Sequence, residues 1–169
     1  MDKVSVVKNI FKEQERKYYL KIIEPLMSIS AELKFHYGGE KYPGKQTHPT
    51  LHMHPHFKSF MDRILEIASK DVGVNLEIDR AWGNWTNGNS NDIGWHRHYC
   101  DYALVYYLKT SFLNNGTLFK KYGLIQAPQN SIIIFPAHLM HTAPTFWYNN
   151  PFGRSRYTIA MNLNKSEGK

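Results

Sequence analysis

Cysteine is almost missing from this chain: its 169 residues include one, Cys100. A lone thiol excludes an internal disulfide and predicts a reducing compartment, the cytoplasm. Long apolar runs are missing too. No stretch approaches the ~18 residues that a membrane-spanning helix needs, so no membrane partner is expected. The segment MDKVSVVKNIFKEQERKYY is too charged for a secretory leader, and none is expected. Internal repeats and low-complexity tracts are absent. Acidic residues are scarce beside basic ones, 14 against 21, which leaves a net charge of +7. That balance suits an acidic partner. Basic residues do not cluster beyond FKKYG and FGRSR. A solvated basic surface, or a basic lumen for a dianionic small molecule, is therefore expected ahead of a nucleic-acid interface.

What is present reads as one soluble globular domain, residues 1–169, with 42% hydrophobic and 21% charged residues. Residues 1–73 read as helices and a loop. Phe11, Tyr18, Tyr19, Ile22 and Ile23 keep helical spacing up to Pro25. Residues 36–56, rich in Gly, Pro and His, read as a long loop. Phe57, Phe60, Met61, Ile64, Leu65 and Ala68 then predict an amphipathic helix that stops near Gly73. Beyond Gly73 the period changes from 3.6 to 2. VNLEIDRAW, ALVYYLK, GTLFKK, SIIIFPA and RYTIAMNLN predict strands, and LNNGT predicts a hairpin turn. Helices first and many short strands afterwards predict a mainly β fold with N-terminal helices. Its core would be a jelly roll, or double-stranded β-helix, over residues 74–164, with the helices packed outside.

Nine histidines are present, and most need no function. The tract HMHPH can bind metal in principle, but a flexible loop does not fix ligand geometry. His96 and His98 differ. They stand two apart just before a confident strand, so alternation puts both rings on one face, within reach of one ion. A third ligand would come from a neighbouring strand. His138 and His141 follow the apolar run Ile132–Phe135 where Pro136 stops it, and they are the candidates.

Read in order, the chain has H-x-H, a Tyr-rich strand, Gly116-x-Leu118-Phe119, IIFP, His141 with Pro144 three residues on, and Arg156-x-Thr158. This series resembles the Fe(II)/2-oxoglutarate-dependent dioxygenases on their prolyl-hydroxylase-like side, over roughly residues 74–164. The flanking THPTLHMHPHFKSFMDRI and AWGNWTN resemble its small bacterial and phage branch. The resemblance implies Fe(II) as metal, 2-oxoglutarate as cosubstrate and O2 as oxidant. It implies iron ligands at His96 and His141, and Arg156 with Thr158 at the far carboxylate of 2-oxoglutarate. The residues agree, because Arg156, Thr158, Ala160 and Asn162 share one strand face and an apolar set shares the other. An inward-facing guanidinium needs an anion. Arg154, two residues earlier, is the weaker candidate because it lies in a turn.

One position departs from the family pattern. Where the usual triad has a carboxylate, this chain has His98, which leaves the site one unit more positive. Asp101 is the alternative third ligand. A regular strand would turn it away and a bulge would bring it back. Tyr106 and Tyr107 are candidates to hold a 2-oxoglutarate oxygen, and one of them must face the lumen. Asn84 and Trp85 are candidates for the substrate mouth. His138 and Cys100 are candidates for the surroundings of the metal. The expected reaction hydroxylates a C–H bond of a small molecule or peptide, with release of succinate and CO2. Two other classes fit parts of the pattern: a three-His metal enzyme without 2-oxoglutarate (a cupin-type dioxygenase or a zinc hydrolase or lyase), and a non-catalytic jelly-roll binding module.

Overall fold

The computed structural model describes residues 2–27, 44–86, 94–110, 115–143 and 155–166. Among the described residues two α-helices form where the apolar spacing places them. Helix α1 (Glu13–Ile23) carries Glu13 and Glu15 in its first turn, and the Glu15 carboxylate accepts the Lys12 backbone N–H at 2.8 Å. Both features suit the positive end of a helix. Tyr19 and Ile23 are buried on its inner face, and Pro25 ends it in a 3-10 turn. Arg16 is buried as well. Its Nη1 donates to the Leu108 carbonyl at 2.7 Å and its other nitrogens pair with Glu13. Helix α2 (Lys58–Val72) buries Phe60, Met61, Ile64 and Ala68. Each large apolar side chain removed from water there contributes roughly 1.5–3 kcal/mol. Gly73, at φ 77°, closes the helix in the left-handed conformation that glycine tolerates.

Among the described residues nine strands make two sheets: β1 (Ser5–Lys8), β2 (Lys45–Gln46), β3 (Leu76–Thr86), β4 (Tyr102–Lys109), β5 (Thr117–Phe119), β6 (Gly123–Ile125), β7 (Ser131–Pro136), β8 (His141–Thr142) and β9 (Arg156–Lys165). The larger sheet runs β1-β7-β4-β9-β3-β2, the smaller β6-β5-β8, and every named pair is antiparallel. Alternation sorts the side chains of the larger sheet onto two faces. Leu104, Tyr106, Ile132, Ile134, Ile159, Met161 and Leu163 form one apolar cluster with α1 and α2. Ala103, Tyr107, Ile133 and Phe135 instead meet Phe119 of the smaller sheet. The architecture is thus a double-stranded β-helix with its helices packed outside.

Two strands arise where the sequence reading has only helices and loop. β1 pairs along β7, from Ser5 opposite Ile134 to Lys8 opposite Ser131. β2 pairs with β3, Gln46 opposite Asn84. Both are short edge strands whose partners lie far along the chain, so no local period announces them. The His-rich segment is also less loop-like than its composition. Leu51–Met53 and Pro55–Phe57 form 3-10 turns, with Leu51 and Phe57 buried. β3 runs on through GNWT, GTLFKK is strand only over Thr117–Phe119, and Gly123–Ile125 adds a strand. The LNNGT turn falls partly outside the described residues, as do His36, Pro144 and Arg154.

Candidate metal centre

His96 lies just before β4, bridged to β8. Its N–H donates to the His141 carbonyl at 3.0 Å, and the His141 N–H returns a bond of 2.9 Å. His141 also pairs with Phe119 of β5 on its other side. The His98 N–H donates to the Ala137 carbonyl at 3.0 Å, and the Ala137 N–H donates to the Asp101 carbonyl at 3.1 Å. The H-x-H segment is therefore pinned to the exit of β7 by backbone bonds, not by its side chains. Ring centroids lie 5.3 Å apart for His96 and His98, 4.3 Å for His96 and His141, and 5.1 Å for His98 and His141. Each imidazole offers one nitrogen, and these three nitrogens lie within 4.8 Å of one another. Among the described residues, this is the one group of His, Cys, Asp or Glu side chains arranged in that way.

Two of the rings are held in one tautomer. Nδ1 of His96 is 3.1 Å from the Gly94 carbonyl, and Nδ1 of His141 is 2.9 Å from the Leu139 carbonyl. A carbonyl only accepts, so Nδ1 carries the proton in both rings and Nε2 keeps its lone pair. Burial pulls the His98 imidazole down to about 4, and repulsion from His96 adds to it. Burial likewise pulls His141 down to about 3, with His96 and His98 adding and the Leu139 carbonyl opposing. Both rings are neutral at neutral pH, the state in which a histidine binds a metal. Three neutral nitrogen donors at this spacing fit a divalent first-row metal and leave further coordination positions.

The same cleft, with about 660 Å³ of empty space open to solvent, is lined by Thr117, Arg156 and Thr158 as well as the three histidines. Arg156 is the first residue of β9 and is buried. Its Nη2 donates to the Gly116 carbonyl at 2.9 Å, and its guanidinium lies 5.3 Å from the centre of the Tyr107 ring. The Tyr107 hydroxyl meets Thr117 Oγ1 at 2.5 Å, and burial pushes that hydroxyl up to about 12, so it stays protonated. Gly116 has φ 81°, and a Cβ there would strike the Ile125 carbonyl oxygen. Glycine is what lets this carbonyl reach Arg156.

Other candidates fall elsewhere. Asp101 is exposed. Its Oδ2 accepts the Lys165 backbone N–H at 2.8 Å, and it lines a separate cleft with His138. His138 is exposed, its Nε2 3.3 Å from Asp2. Cys100 is half-buried and its thiol donates to the Tyr102 carbonyl at 3.2 Å. Tyr106 faces the helices and donates to Asn130 Oδ1 at 3.0 Å, so Tyr107 is the tyrosine on the lumen side. Asn84 lines the cleft, whereas Trp85 lies on the opposite face under Lys45. Trp82 and Thr117 line the cleft without having been singled out in the sequence. Trp82 shares the parity of Asn84, which would have pointed to it.

The sequence matches no protein-family model and no curated protein sequence. Its structure is similar to solved structures of 2-oxoglutarate/Fe(II) oxygenases, and the likeness is one of fold. AviO1 from Streptomyces viridochromogenes aligns with a TM-score of 0.72 at 12% identity, over 99% of this chain and 92% of that one. HygX from Streptomyces hygroscopicus, solved with nickel, 2-oxoglutarate and hygromycin B, gives 0.66 at 14%, over 96% and 83%. A 2OG-Fe(II) oxygenase-family oxidoreductase from Burkholderia pseudomallei gives 0.68 at 12%, over 98% and 86%.

Proposed function

We propose that this protein is an Fe(II)- and 2-oxoglutarate-dependent oxygenase that hydroxylates a C–H bond. One observation carries the reading: three imidazole nitrogens converge in the same cleft as the buried guanidinium of Arg156. A three-His metal site alone would serve several chemistries. The cation beside it favours a cosubstrate that binds the metal and carries a second, anionic end. HygX supports the same assignment, having been solved with nickel and 2-oxoglutarate and separately with iron.

In this reading His96, His98 and His141 hold the metal through their lone-pair nitrogens. Iron at that position would supply the redox chemistry by which O2 converts 2-oxoglutarate to succinate and CO2 while one oxygen atom enters the substrate. The chain does the positioning. Arg156 receives the C5 carboxylate through its planar fork, and Thr158 donates a further bond. Tyr107 supports the guanidinium with its ring and orders Thr117 with its hydroxyl. Asp101, committed to the Lys165 N–H, stays out of the ligand set. The substrate is a small molecule or peptide, and the lone thiol of Cys100 suits a cytoplasmic setting. No helix among the described residues is long and apolar enough to cross a membrane.

The test is succinate formation from 2-oxoglutarate with Fe(II) and O2 and no added substrate. Slow turnover that disappears in Arg156→Ala is expected. Absence of succinate with one equivalent of Fe(II) bound would move the protein to a three-His enzyme of another kind.

A further inference from the structure

His96, His98 and Trp82 line two clefts, not one. The first is the cleft of Arg156. The second, with about 1200 Å³ of empty space open to solvent, continues outward past Arg80, Arg97, Tyr99 and Asn162. It contains no part of the Arg156 and Thr158 pair, so the proposed cosubstrate leaves it vacant for something else.

Its chemistry is specific. The Trp82 ring stands 5.9 Å from His98, offering an aromatic platform beside the triad. Asn162 is on the inward face of β9, and its Oδ1 is buried without a hydrogen-bond partner among the described residues. A buried amide oxygen left unpaired is destabilising, so once the Asn162 side chain turns toward the cleft it lines, it favours a ligand that can donate to it. A phosphate or carboxylate oxygen has no proton to donate. A hydroxyl does, and because it also accepts, it would satisfy the Asn162 amide in either orientation. At the rim, Arg80 is engaged with Asp79 at 3.5 Å, and the Arg97 guanidinium lies 5.9 Å from the Tyr99 ring. Tyr99 itself is 93% exposed. These are planar donors and an aromatic face, suited to hydroxyl oxygens and to the C–H face of a saturated ring.

We infer that the outer cleft binds a polyhydroxylated ring compound of the carbohydrate class, stacked on Trp82, with one hydroxyl donating to Asn162 Oδ1 and other hydroxyl oxygens accepting from Arg97. The inference rests on the oxygenase reading for the idea that the reacting C–H lies beside His96 and His98. Binding itself does not depend on that reading.

The experiment is saturation-transfer NMR on the full chain loaded with Zn(II). The probes are methyl glucoside, maltose, glucosamine, myo-inositol, adenosine monophosphate and a tetraproline peptide. At least one of the first four should bind saturably, with affinity unchanged between 50 and 500 mM salt. Asn162→Leu and Trp82→Ala should each weaken it about tenfold, the equivalent of about 1.4 kcal/mol. Arg97→Ala, an exposed change that spares folding, should weaken it severalfold. The inference is overturned if none of the four binds, if all three variants bind as wild type does, or if the nucleotide or peptide is preferred. Sugar binding without succinate formation would remove the oxygenase reading and leave this one standing. Succinate formation without sugar binding would do the reverse.

Discussion

His96 and His141 exchange both backbone hydrogen bonds, N–H to carbonyl in each direction, while their rings sit 4.3 Å apart. A backbone bridge thus joins two residues 45 positions apart in the chain and sets their side chains facing one another. The facing of these two rings is built into the sheet.

That arrangement predicts how the site fails. His96→Ala and His141→Ala should each abolish tight binding of a divalent metal, measured by metal analysis and calorimetry. Their circular dichroism should stay native, because the bridge uses backbone atoms. His98→Ala should lower affinity at least tenfold, whereas Asp101→Ala should leave it unchanged. Full affinity in His98→Ala, with loss in Asp101→Ala, would reverse the third-ligand assignment.

The lowered histidine values predict the pH response of the metal-free protein. The ordinary imidazole value is 6.5, and folding pulls His98 to about 4 and His141 to about 3. As pH falls below 6.5, the unfolded chain takes up protons that the folded chain refuses. Stability is therefore undiminished above about pH 6.5 and declines as pH drops toward 4 and then 3. Urea midpoints should fall between pH 7 and pH 4.5, and His141→Gln should flatten that dependence. A midpoint that rises on acidification would contradict the buried, neutral triad.

The strands and the H-x-H signal were legible because they are local. Alternation in RYTIAMNLN places Arg156 and Thr158 inward, and the structure buries both. Ile132–Phe135 likewise reads as strand and is fully buried. What the sequence withheld depends on pairing at a distance. Ser5–Lys8 becomes a strand only because β7 offers an edge, and Gln46 only because Asn84 lies opposite. The choice between Tyr106 and Tyr107 was equally closed to a local reading. It turns on which sheet face the helices cover, and α1 and α2 cover the face of Tyr106. The anchoring of Arg156 by the Gly116 carbonyl joins residues 40 apart, and no motif spells that contact.

Gly116 should accordingly be sensitive out of proportion to its size. An alanine there must take a positive φ and push against the Ile125 carbonyl. We expect Gly116→Ala to cost more than about 1 kcal/mol of stability. It should also weaken 2-oxoglutarate binding by displacing the Arg156 anchor. Thermal unfolding and a 2-oxoglutarate titration on the same preparation check both halves. Wild-type values for both would mean that the β5–β6 pair is free to shift at its open end, where Gly116 meets Ile125.

The sharpest prediction concerns Arg156, because it separates a 2-oxoglutarate enzyme from other three-His proteins. The guanidinium is buried, anchored on Gly116, and stacked over Tyr107, so it is held in one orientation toward the cleft. Removing one partner of a buried charge pair costs about 2–5 kcal/mol. Arg156→Ala should therefore lose roughly 30-fold to several-thousand-fold in affinity for 2-oxoglutarate. Arg156→Lys keeps the charge but not the fork, and it should recover only part of the loss. Metal binding should survive both changes, since neither touches the imidazoles. The measurement is an anaerobic titration of the Fe(II) protein with 2-oxoglutarate, following the metal-to-ligand charge-transfer band. Equal affinity in wild type and Arg156→Ala, or no band in wild type with iron bound, would remove 2-oxoglutarate from the mechanism.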